Sequence, residues 1–362
     1  MPRDGYLLYE PSIEQPRPDE PETIKTIVAS IERTNASSFA ARHHAIRQQH
    51  AKGQGFLKGE LTVYDDLPNH LRQGMFATAR SYPIIVRLST AFGDIRSDRI
   101  RVPRGIAIKV LGVSGPKSLP EDKSTNQDFL LVNHKSYFSD AAAYLSAQRS
   151  FERQPGTPDF VLKVVGLAAR SLVKLSNCTG LTIPKVLNAL GDAGNNILGE
   201  SFYSEGAIRF GNYVAKLCAA PVSESVLRLT GQPGYKDDNA LLNSVVEFFS
   251  KNSAEYELRA QLCADLQRTP VEDASIDWPE EISPHQPLGR ITLPSQAADS
   301  PARRAYADDV LSFNPWRCLA DHRPLGSIMR LRKEAYRASS TFRHEKNKQP
   351  MKEPQDISEF PD

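Results

Sequence analysis

Residues 81–110 read SYPIIVRLSTAFGDIRSDRIRVPRGIAIKV, and this stretch is the clearest indication of the fold class. Successive side chains of an extended strand point to opposite faces, so apolar residues at every second position predict β-strands. The segment between the two alternating parts contains Gly, Asp, Ser and Pro, which are typical of turns. The stretch therefore predicts two neighbouring strands of a sheet. The alternating residues are Ile84, Val86 and Leu88, followed by Ile106, Ile108 and Val110.

The same alternation recurs along the rest of the chain. Short strands separated by turn residues predict an antiparallel sheet or barrel, and helices around it would give an α+β class. The sequence shows no internal repeat, heptad pattern or low-complexity tract. The further strand segments are Leu61 and Val63, the apolar run 129–132, and residues 213–217, 256–262 and 288–293.

Three segments have helical periodicity. Residues 24–31 carry an apolar stripe behind Pro21, a residue suited to the first turn of a helix. Residues 160–175 form an apolar run interrupted by basic residues. Its functional interpretation is a membrane-touching or lipid-gating element, whereas we expect a helix packed on the barrel. Residues 329–344 contain neither Gly nor Pro and predict one helix at about 327–345.

The two ends of the chain are polar and lack periodicity. Residues 1–20 predict an extended arm, and residues 351–362 predict a polar tail. The segment 21–350 is long enough for one large domain with peripheral helices, or for two domains at most. The beginning of the chain lacks the apolar run of a secretory signal, and no apolar stretch is long enough to span a bilayer. The expected compartment is the cytoplasm.

The overall charge of the chain is nearly balanced. It has 45 basic and 43 acidic residues, a net charge of +2, which argues against nucleic acid or an anionic membrane as a partner and favours a small molecule. The four cysteines are widely separated and form no Cys-x-x-Cys motif. We therefore expect buried, reduced thiols rather than zinc ligands.

Two short segments carry residues suited to chemistry. In residues 47–53 (RQQHAKG), His50 is followed by a glycine, which lets the backbone and a ligand approach each other closely. In residues 332–336 (RKEAY), Arg332 and Tyr336 lie four positions apart and share one helix face. A guanidinium in that position can stabilise a phenolate.

These segments and four others resemble the haem catalases, specifically the short catalase-like peroxidase branch. The fragments keep the family's order along nearly the whole chain, and six in register are far more specific than any one of them. The resemblance implies a central antiparallel β-barrel with surrounding helices, buried haem b (iron protoporphyrin IX), and no C-terminal flavodoxin-like domain. The fragments are 47–53, 86–90 (VRLST), 103–109 (PRGIAIK), Asn126 before an apolar strand, 311–316 (LSFNPW) and 332–336.

The resemblance also implies roles for individual residues. His50 is expected to be the distal acid and base, Ser89 the hydroxyl that orients its ring, and Asn126 the amide that positions peroxide. Tyr336 is expected to be the axial ligand of the haem iron, with Arg332 against its phenolate. The other expected haem contacts are Phe138 on the haem face and Arg47, Arg87 and Arg343 at the propionates.

Elementary chemistry agrees with these roles. A free tyrosine has a pKa near 10, so ionisation at neutral pH needs a downward shift of about four units, which ferric iron and an arginine can supply. A neutral imidazole can accept a proton from the inner peroxide oxygen and return it to the outer one. Cleavage of the O–O bond would leave a ferryl haem. Taken singly, His50 is an ordinary loop histidine, Arg332 and Tyr336 an ordinary surface pair, and Ser89 and Asn126 ordinary strand-end residues.

The sequence departs from ordinary catalases near these residues. Gln48 and Gln49 precede the histidine where small apolar residues are usual, Arg337 replaces a proline, and Ser340 replaces a histidine of larger catalases. A glutamine amide can bond an incoming peroxide, restrict it or point away, which counts against efficient dismutation. Without a flavodoxin-like domain, we expect no bound NADPH and a more open route to the haem.

Three hypotheses for function follow from the resemblance. The leading one is a haem peroxidase in the response to oxidative stress, which reduces hydrogen peroxide or organic hydroperoxides with a small electron donor and has weak catalase activity. The second is a fatty-acid hydroperoxide isomerase or lyase of the allene oxide synthase type, favoured by Gln49 and the segment 160–175. The third is a haem-binding protein without turnover. Haem catalases are typically oligomers, so we expect a homo-oligomer.

Overall fold

The computed structural model describes residues 5–134, 138–152, 157–179, 194–234 and 236–362. Nine strands and seven α-helices are present in these ranges. The strands are β1 Gly53–Val63, β2 Ser81–Thr90, β3 Arg104–Val110, β4 Gln127–Val132, β5 Phe202–Ser204, β6 Ile208–Phe210, β7 Tyr213–Pro221, β8 Ala254–Leu262 and β9 His285–Leu293. The helices are α1 Glu20–Arg42, α2 Ala141–Phe151, α3 Asp159–Thr179, α4 Glu224–Leu227, α5 Ala240–Phe249, α6 Pro301–Ala305 and α7 Ser327–Lys346.

The strands form a closed antiparallel barrel. Their order is β5-β4-β3-β2-β1-β9-β8-β7, and β5 also pairs with β7, which completes a ring of eight strands. Strand β6 pairs with β7 beside β5. Closure removes the open edges that a sheet would otherwise expose. The predicted α+β class, with an antiparallel β-barrel and surrounding helices, is confirmed.

Strand β2 shows why the alternating sequence gives this barrel. Ile84, Val86 and Leu88 lie in the main hydrophobic core, together with the alternating residues of β3. Ile85 points the other way and packs in a second cluster with Phe56 of β1. Both faces of the strand are therefore covered. The period of two separates an inner core from an outer one, rather than a core from solvent.

Helices α1, α2 and α7 form a layer outside the barrel. Ile27 and Ile31 of α1 cluster with Ala141 of α2 and Leu331 of α7. Met329, from the same helix α7, belongs to the main barrel core. Helix α7 is thus fixed from two sides, which holds the face that carries Arg332 and Tyr336.

Residues 351–362 dock on the outside of the barrel. Phe360 is 1% exposed and belongs to the cluster that contains Phe56 and Ile85. Its ring meets the Tyr306 ring edge-on, with the centroids 5.6 Å apart. Glu353 forms ion pairs with the buried Lys109 at 2.7 Å and with Arg317 at 2.9 Å. Tail residues therefore contribute both to the outer core and to a buried charge network.

Replacing Phe360 tests how much this docking stabilises the fold. Phe360→Ala removes a fully buried ring, so we expect the free energy of unfolding in urea to fall by about 3 kcal/mol. The matched control in the same segment is Met351→Ala, because Met351 is 59% exposed, and its effect should stay within about 0.5 kcal/mol. Equal, small effects of the two substitutions would show that the tail adds little to stability.

Candidate functional site

A cavity of about 280 Å³ is lined by residues of β2, β3, β4, α2 and α7. Most of its wall is apolar, with Phe92, Val132, Phe138, Ile328 and Leu331 among the contributing residues. Eight of the nine predicted site residues line it. They are Arg47, His50, Arg87, Ser89, Phe138, Arg332, Tyr336 and Arg343.

His50 lies in the loop before β1 with a left-handed backbone, φ 56°. Its Nδ1 lies 3.0 Å from the Ser89 hydroxyl oxygen on β2. When Nδ1 carries the proton and donates to Ser89, Nε2 is the ring nitrogen that can accept a proton. Ser89 is thus placed to orient the imidazole, as the sequence predicted.

The glycine that gives the imidazole room is Gly105 on β3. A Cβ atom at position 105 would lie 2.6 Å from Cε1 of His50 and 2.9 Å from its Nδ1. Gly53, which follows the histidine in sequence, instead lies close to Phe56, where a Cβ atom would meet the ring at 2.4 Å. The close approach that glycine allows is therefore real, but a different strand supplies it. The sequence signal was present in the fragment 103–109.

Burial and neighbouring cations keep His50 neutral. Desolvation is the largest cause, followed by the positive charges of Arg87 and Arg332, and together they lower the pKa of His50 to about 3. An imidazole in this state holds no extra proton at neutral pH and is ready to accept one.

Arg332 bridges a phenol and a carboxylate. Its Nη2 donates to the Tyr336 hydroxyl oxygen at 3.0 Å, and its Nη1 lies 3.2 Å from a carboxylate oxygen of Glu205. Burial lowers the pKa of Arg332, but Tyr336 and Glu205 outweigh it, so the pKa is raised and the group stays charged. The sequence predicted the Arg332–Tyr336 pair, but it did not indicate Glu205, which also lines the cavity.

Three arginines converge on Asp308 at the cavity, two on its carboxylate and one on its backbone carbonyl. Arg47 donates to Asp308 at 2.9 Å and Arg87 at 3.1 Å, while Arg343 donates to the Asp308 backbone carbonyl. Asp309, next along the chain, lies 2.8 Å from His44. Arg87 and Arg343 are buried and Arg47 is partly buried. The carboxylates of Asp308 and Asp309 both oppose the charge of this cluster, which leaves one positive charge in excess.

Repulsion between the arginines adds to burial in lowering the pKa values of Arg47 and Arg343. Burial, followed by Arg87 and Arg343, holds the pKa of Arg47 well below its usual value. Burial likewise lowers the pKa of Arg343 to about 10. Buried cations that repel one another are stabilised by an anion, so the cluster is suited to bind an anionic group of a ligand.

Asn126 lies elsewhere, contrary to the sequence-based expectation. It is fully buried but does not line the cavity. Its side-chain amide donates to Glu353 at 3.1 Å and to the Pro354 carbonyl at 3.0 Å. The tail carboxylate that pairs with Lys109 thus also binds this amide. In this structure the amide of Asn126 therefore binds the tail of the chain rather than facing the cavity.

Gln49 and Tyr144 add a polar pair to the cavity wall. Tyr144, from α2, lines the cavity together with Gln49 and packs edge-on against Phe138, with ring centroids 5.2 Å apart. Burial, then the negative charge of Glu205, raises the pKa of Tyr144, so its phenol stays protonated. Gln49 thus contributes to the cavity wall, and its interaction with Tyr144 acts to lower the pKa of that phenol, against the larger effect of burial.

Comparisons with known proteins identify the fold. No protein-family model matches the chain, and no curated protein is found to be similar. Among solved structures, a fungal catalase is 18% identical with a TM-score of 0.59, and the match covers 85% of this chain and 61% of that one. Catalase A from Saccharomyces cerevisiae is 18% identical with a TM-score of 0.62, covering 85% and 63%. A bacterial catalase is 14% identical with a TM-score of 0.59, covering 85% and 59%.

The chain has the catalase fold. It spans about three-fifths of the length of these three catalases. The catalase-like barrel expected from the sequence is thereby confirmed, whereas assignment to the short peroxidase branch stays a prediction. None of the helices in the described ranges has the length and apolar content that a bilayer crossing requires.

The lowered pKa of His50 predicts a pH dependence of stability. The unfolded chain binds a proton at this histidine below about pH 6.5, whereas the folded chain does so only near pH 3. The stabilisation is complete above pH 6.5 and is lost as the pH falls toward 3. Between pH 6 and pH 4, wild type should lose about 2 kcal/mol more unfolding free energy than His50→Asn.

Urea unfolding at a series of pH values measures this difference. Asparagine suits the left-handed backbone of position 50, which separates the loss of the imidazole from backbone strain. The control is His43→Asn, because His43 is exposed and has the same backbone conformation, φ 55°. It should follow the wild-type curve. If the unfolding free energy of His50→Asn changes with pH in the same way as that of wild type, the fold does not hold the imidazole neutral.

Proposed function

We propose that this chain is a haem-dependent peroxidase of the short catalase-like branch, acting on hydrogen peroxide or organic hydroperoxides. One observation carries the proposal. A single, mostly apolar cavity contains the neutral imidazole of His50 and the phenol of Tyr336, which accepts a hydrogen bond from the buried Arg332. The same cavity contains an arginine cluster with excess positive charge.

The cavity residues fit haem b. The phenol oxygen of Tyr336 is the proposed ligand of the iron, because oxygen ligands of this kind bind ferric haem. Arg47, Arg87 and Arg343 would hold the propionates, whose negative charges would offset the excess charge of the cluster. Phe138 and the other apolar wall residues would cover the ring. When bound, the haem supplies a ferric iron at which the O–O bond of a peroxide is cleaved.

On the distal side, His50 moves a proton. Its neutral Nε2 accepts the proton of the inner peroxide oxygen and returns it to the outer oxygen, which leaves as water or an alcohol. The 3.0 Å contact of Ser89 with Nδ1 orients the ring, and Nε2 is the acceptor in the tautomer whose Nδ1 donates to the hydroxyl oxygen. Two electrons from a small donor, together with two protons, complete the reduction.

On the proximal side, Arg332 and Glu205 act on the oxygen of Tyr336. The guanidinium stabilises the phenolate by a charge-assisted hydrogen bond. The carboxylate of Glu205 offsets part of the positive charge of Arg332, because it pairs with the same guanidinium at 3.2 Å. The balance between the two sets how much electron density the phenolate can give to a metal. Cytoplasmic location, a homo-oligomeric state and a role in oxidative stress stay predictions.

A second candidate is a fatty-acid hydroperoxide isomerase or lyase. Gln49 brings a polar amide to the cavity wall next to His50, and the phenol of Tyr144 lines the same cavity. This pair offers a hydroperoxide a neutral contact that ordinary catalases lack at this position. Such an enzyme would convert a lipid hydroperoxide without any electron donor.

Reconstitution with hemin followed by three substrates tests both candidates. We expect a Soret band with high-spin ferric features, and consumption of hydrogen peroxide and cumene hydroperoxide that requires a donor. Tyr336→Phe should lose those spectral features. His50→Asn should keep the Soret band and lose activity by about 100-fold or more, whereas His43→Asn retains it.

Other outcomes of this assay would exclude the proposal. Conversion of a lipid hydroperoxide alone, without donor, would favour the isomerase or lyase. Haem binding with equal inactivity in wild type and His50→Asn would favour a protein without turnover. A preparation that stays colourless with added hemin would remove the haem proposal altogether.

Glu205 gives a prediction that does not depend on turnover. Glu205→Gln removes the negative charge, so the guanidinium of Arg332 acts more strongly on Tyr336 and the phenolate donates less to iron. We expect the ferric–ferrous midpoint potential of the hemin-loaded protein to rise by roughly 30–60 mV, since about 59 mV corresponds to a tenfold change for one electron. The control is Glu334→Gln, because Glu334 pairs with Arg337 at 2.7 Å and does not line the cavity. A potential that is unchanged or lower in Glu205→Gln would contradict this role.

A further inference from the structure

Helix α3 presents large apolar side chains to solvent. Phe160 is 68% exposed, Val164 62% and Leu167 59%, and further exposed residues of the helix are Val165, Leu172 and Leu175. On the opposite side, Gly166, Ala169 and Val173 are buried. The expectation that this helix packs its apolar face on the barrel is therefore wrong for most of that face. Among the side chains of the helix that the structure describes, only this narrow strip is buried.

The basic residues of α3 lie along one border of the exposed face. At about 100° per residue, the exposed apolar positions fill one sector of the helix and the buried positions lie opposite. Lys163 and Arg170 fall within a sector about 20° wide between the two. The one acidic residue of the helix, Asp159, is its first residue and pairs with Arg96 at 2.7 Å.

We infer that α3 binds the surface of an anionic phospholipid bilayer, with its apolar face in the acyl boundary and its basic border at the headgroups. An apolar sector bordered by lysine and arginine is the pattern of helices that lie in a membrane interface. Each basic residue near such a surface adds electrostatic attraction, whether or not it also contacts the protein. This inference needs neither haem nor peroxide.

The near-neutral charge of the whole chain predicted no membrane partner. That argument averages 45 basic and 43 acidic residues over the entire surface. On α3 the charge is local, because three basic residues accompany a single acidic one that is already paired. The local excess of positive charge favours an anionic lipid surface over a neutral apolar partner.

Vesicle flotation with the full-length chain tests the inference. The probes are vesicles of phosphatidylcholine alone and vesicles containing about one-third phosphatidylserine. We expect binding to the anionic vesicles, weaker binding to the neutral ones, and a decrease as salt is added. The inference would be overturned if the chain bound to neither type of vesicle.

Variants on exposed positions locate the surface without disturbing the core. The double variant Val164→Asp/Leu167→Asp should reduce vesicle binding at least about tenfold, because two apolar side chains no longer enter the interface. The matched control is Leu227→Asp on α4, since Leu227 is also exposed, and it should bind as wild type. Equal binding of the double variant and wild type would overturn the assignment to α3.

The variant Phe160→Trp distinguishes a membrane from the other possible occupants of the exposed face of α3. Trp278 and Trp316 are buried, so a change in emission on adding vesicles reports mainly on Phe160→Trp. We expect water-exposed emission without vesicles and a blue shift with anionic ones. A blue emission without vesicles would mean that the chain or a second copy covers the face. If light scattering then shows that Val164→Asp/Leu167→Asp dissociates an oligomer, the face is a subunit interface and the inference fails.

Discussion

The site depends on positive charge that the fold buries and does not balance. Arg47, Arg87 and Arg343 meet at the cavity, where the carboxylates of Asp308 and Asp309 leave one of the three positive charges in excess. The same surplus helps to hold His50 neutral, because Arg87 is the largest electrostatic contribution to its lowered pKa. One electrostatic arrangement therefore favours an anionic ligand and keeps a proton acceptor ready beside it. Removing that surplus would change both properties together.

The parts of the fold that the sequence predicted are those in which local pattern and burial agree. In β2 and β3, each alternate apolar residue enters the barrel core, whereas on the outward face Ile85 enters a second core and Arg87 and Ser89 line the cavity. The pair on helix α7 could be predicted, because a spacing of four residues on a helix is enough to bring Arg332 and Tyr336 together. Strands β5 and β6 have three residues each, which is too short for periodicity to indicate them, although β5 closes the barrel.

Residues whose position depends on distant parts of the chain were not predictable in this way. Asn126 precedes β4 as expected, but Glu353 binds its amide across 227 positions of sequence. Gly105 was visible only as part of a motif, because its need for a bare Cα comes from His50, on a different segment. Glu205 and Tyr144 carry no local signal at all. The prediction for helix α3 was wrong for another reason. Its apolar stripe predicts a buried face but does not identify what covers that face.

The docked tail connects stability to the site through the π-helical turn Tyr306–Val310, which carries Asp308. Phe360 packs against Tyr306 at the start of that turn. The last residue of the turn, Val310, has a carbonyl 2.9 Å from a ring nitrogen of His344 on α7. The carboxylate among the arginines is thus held from outside by the tail and from inside by the helix that carries Tyr336. Because a shift of Asp308 would change how much of the cluster's charge is neutralised, packing on the outer surface of the barrel helps to set the charge within the cavity.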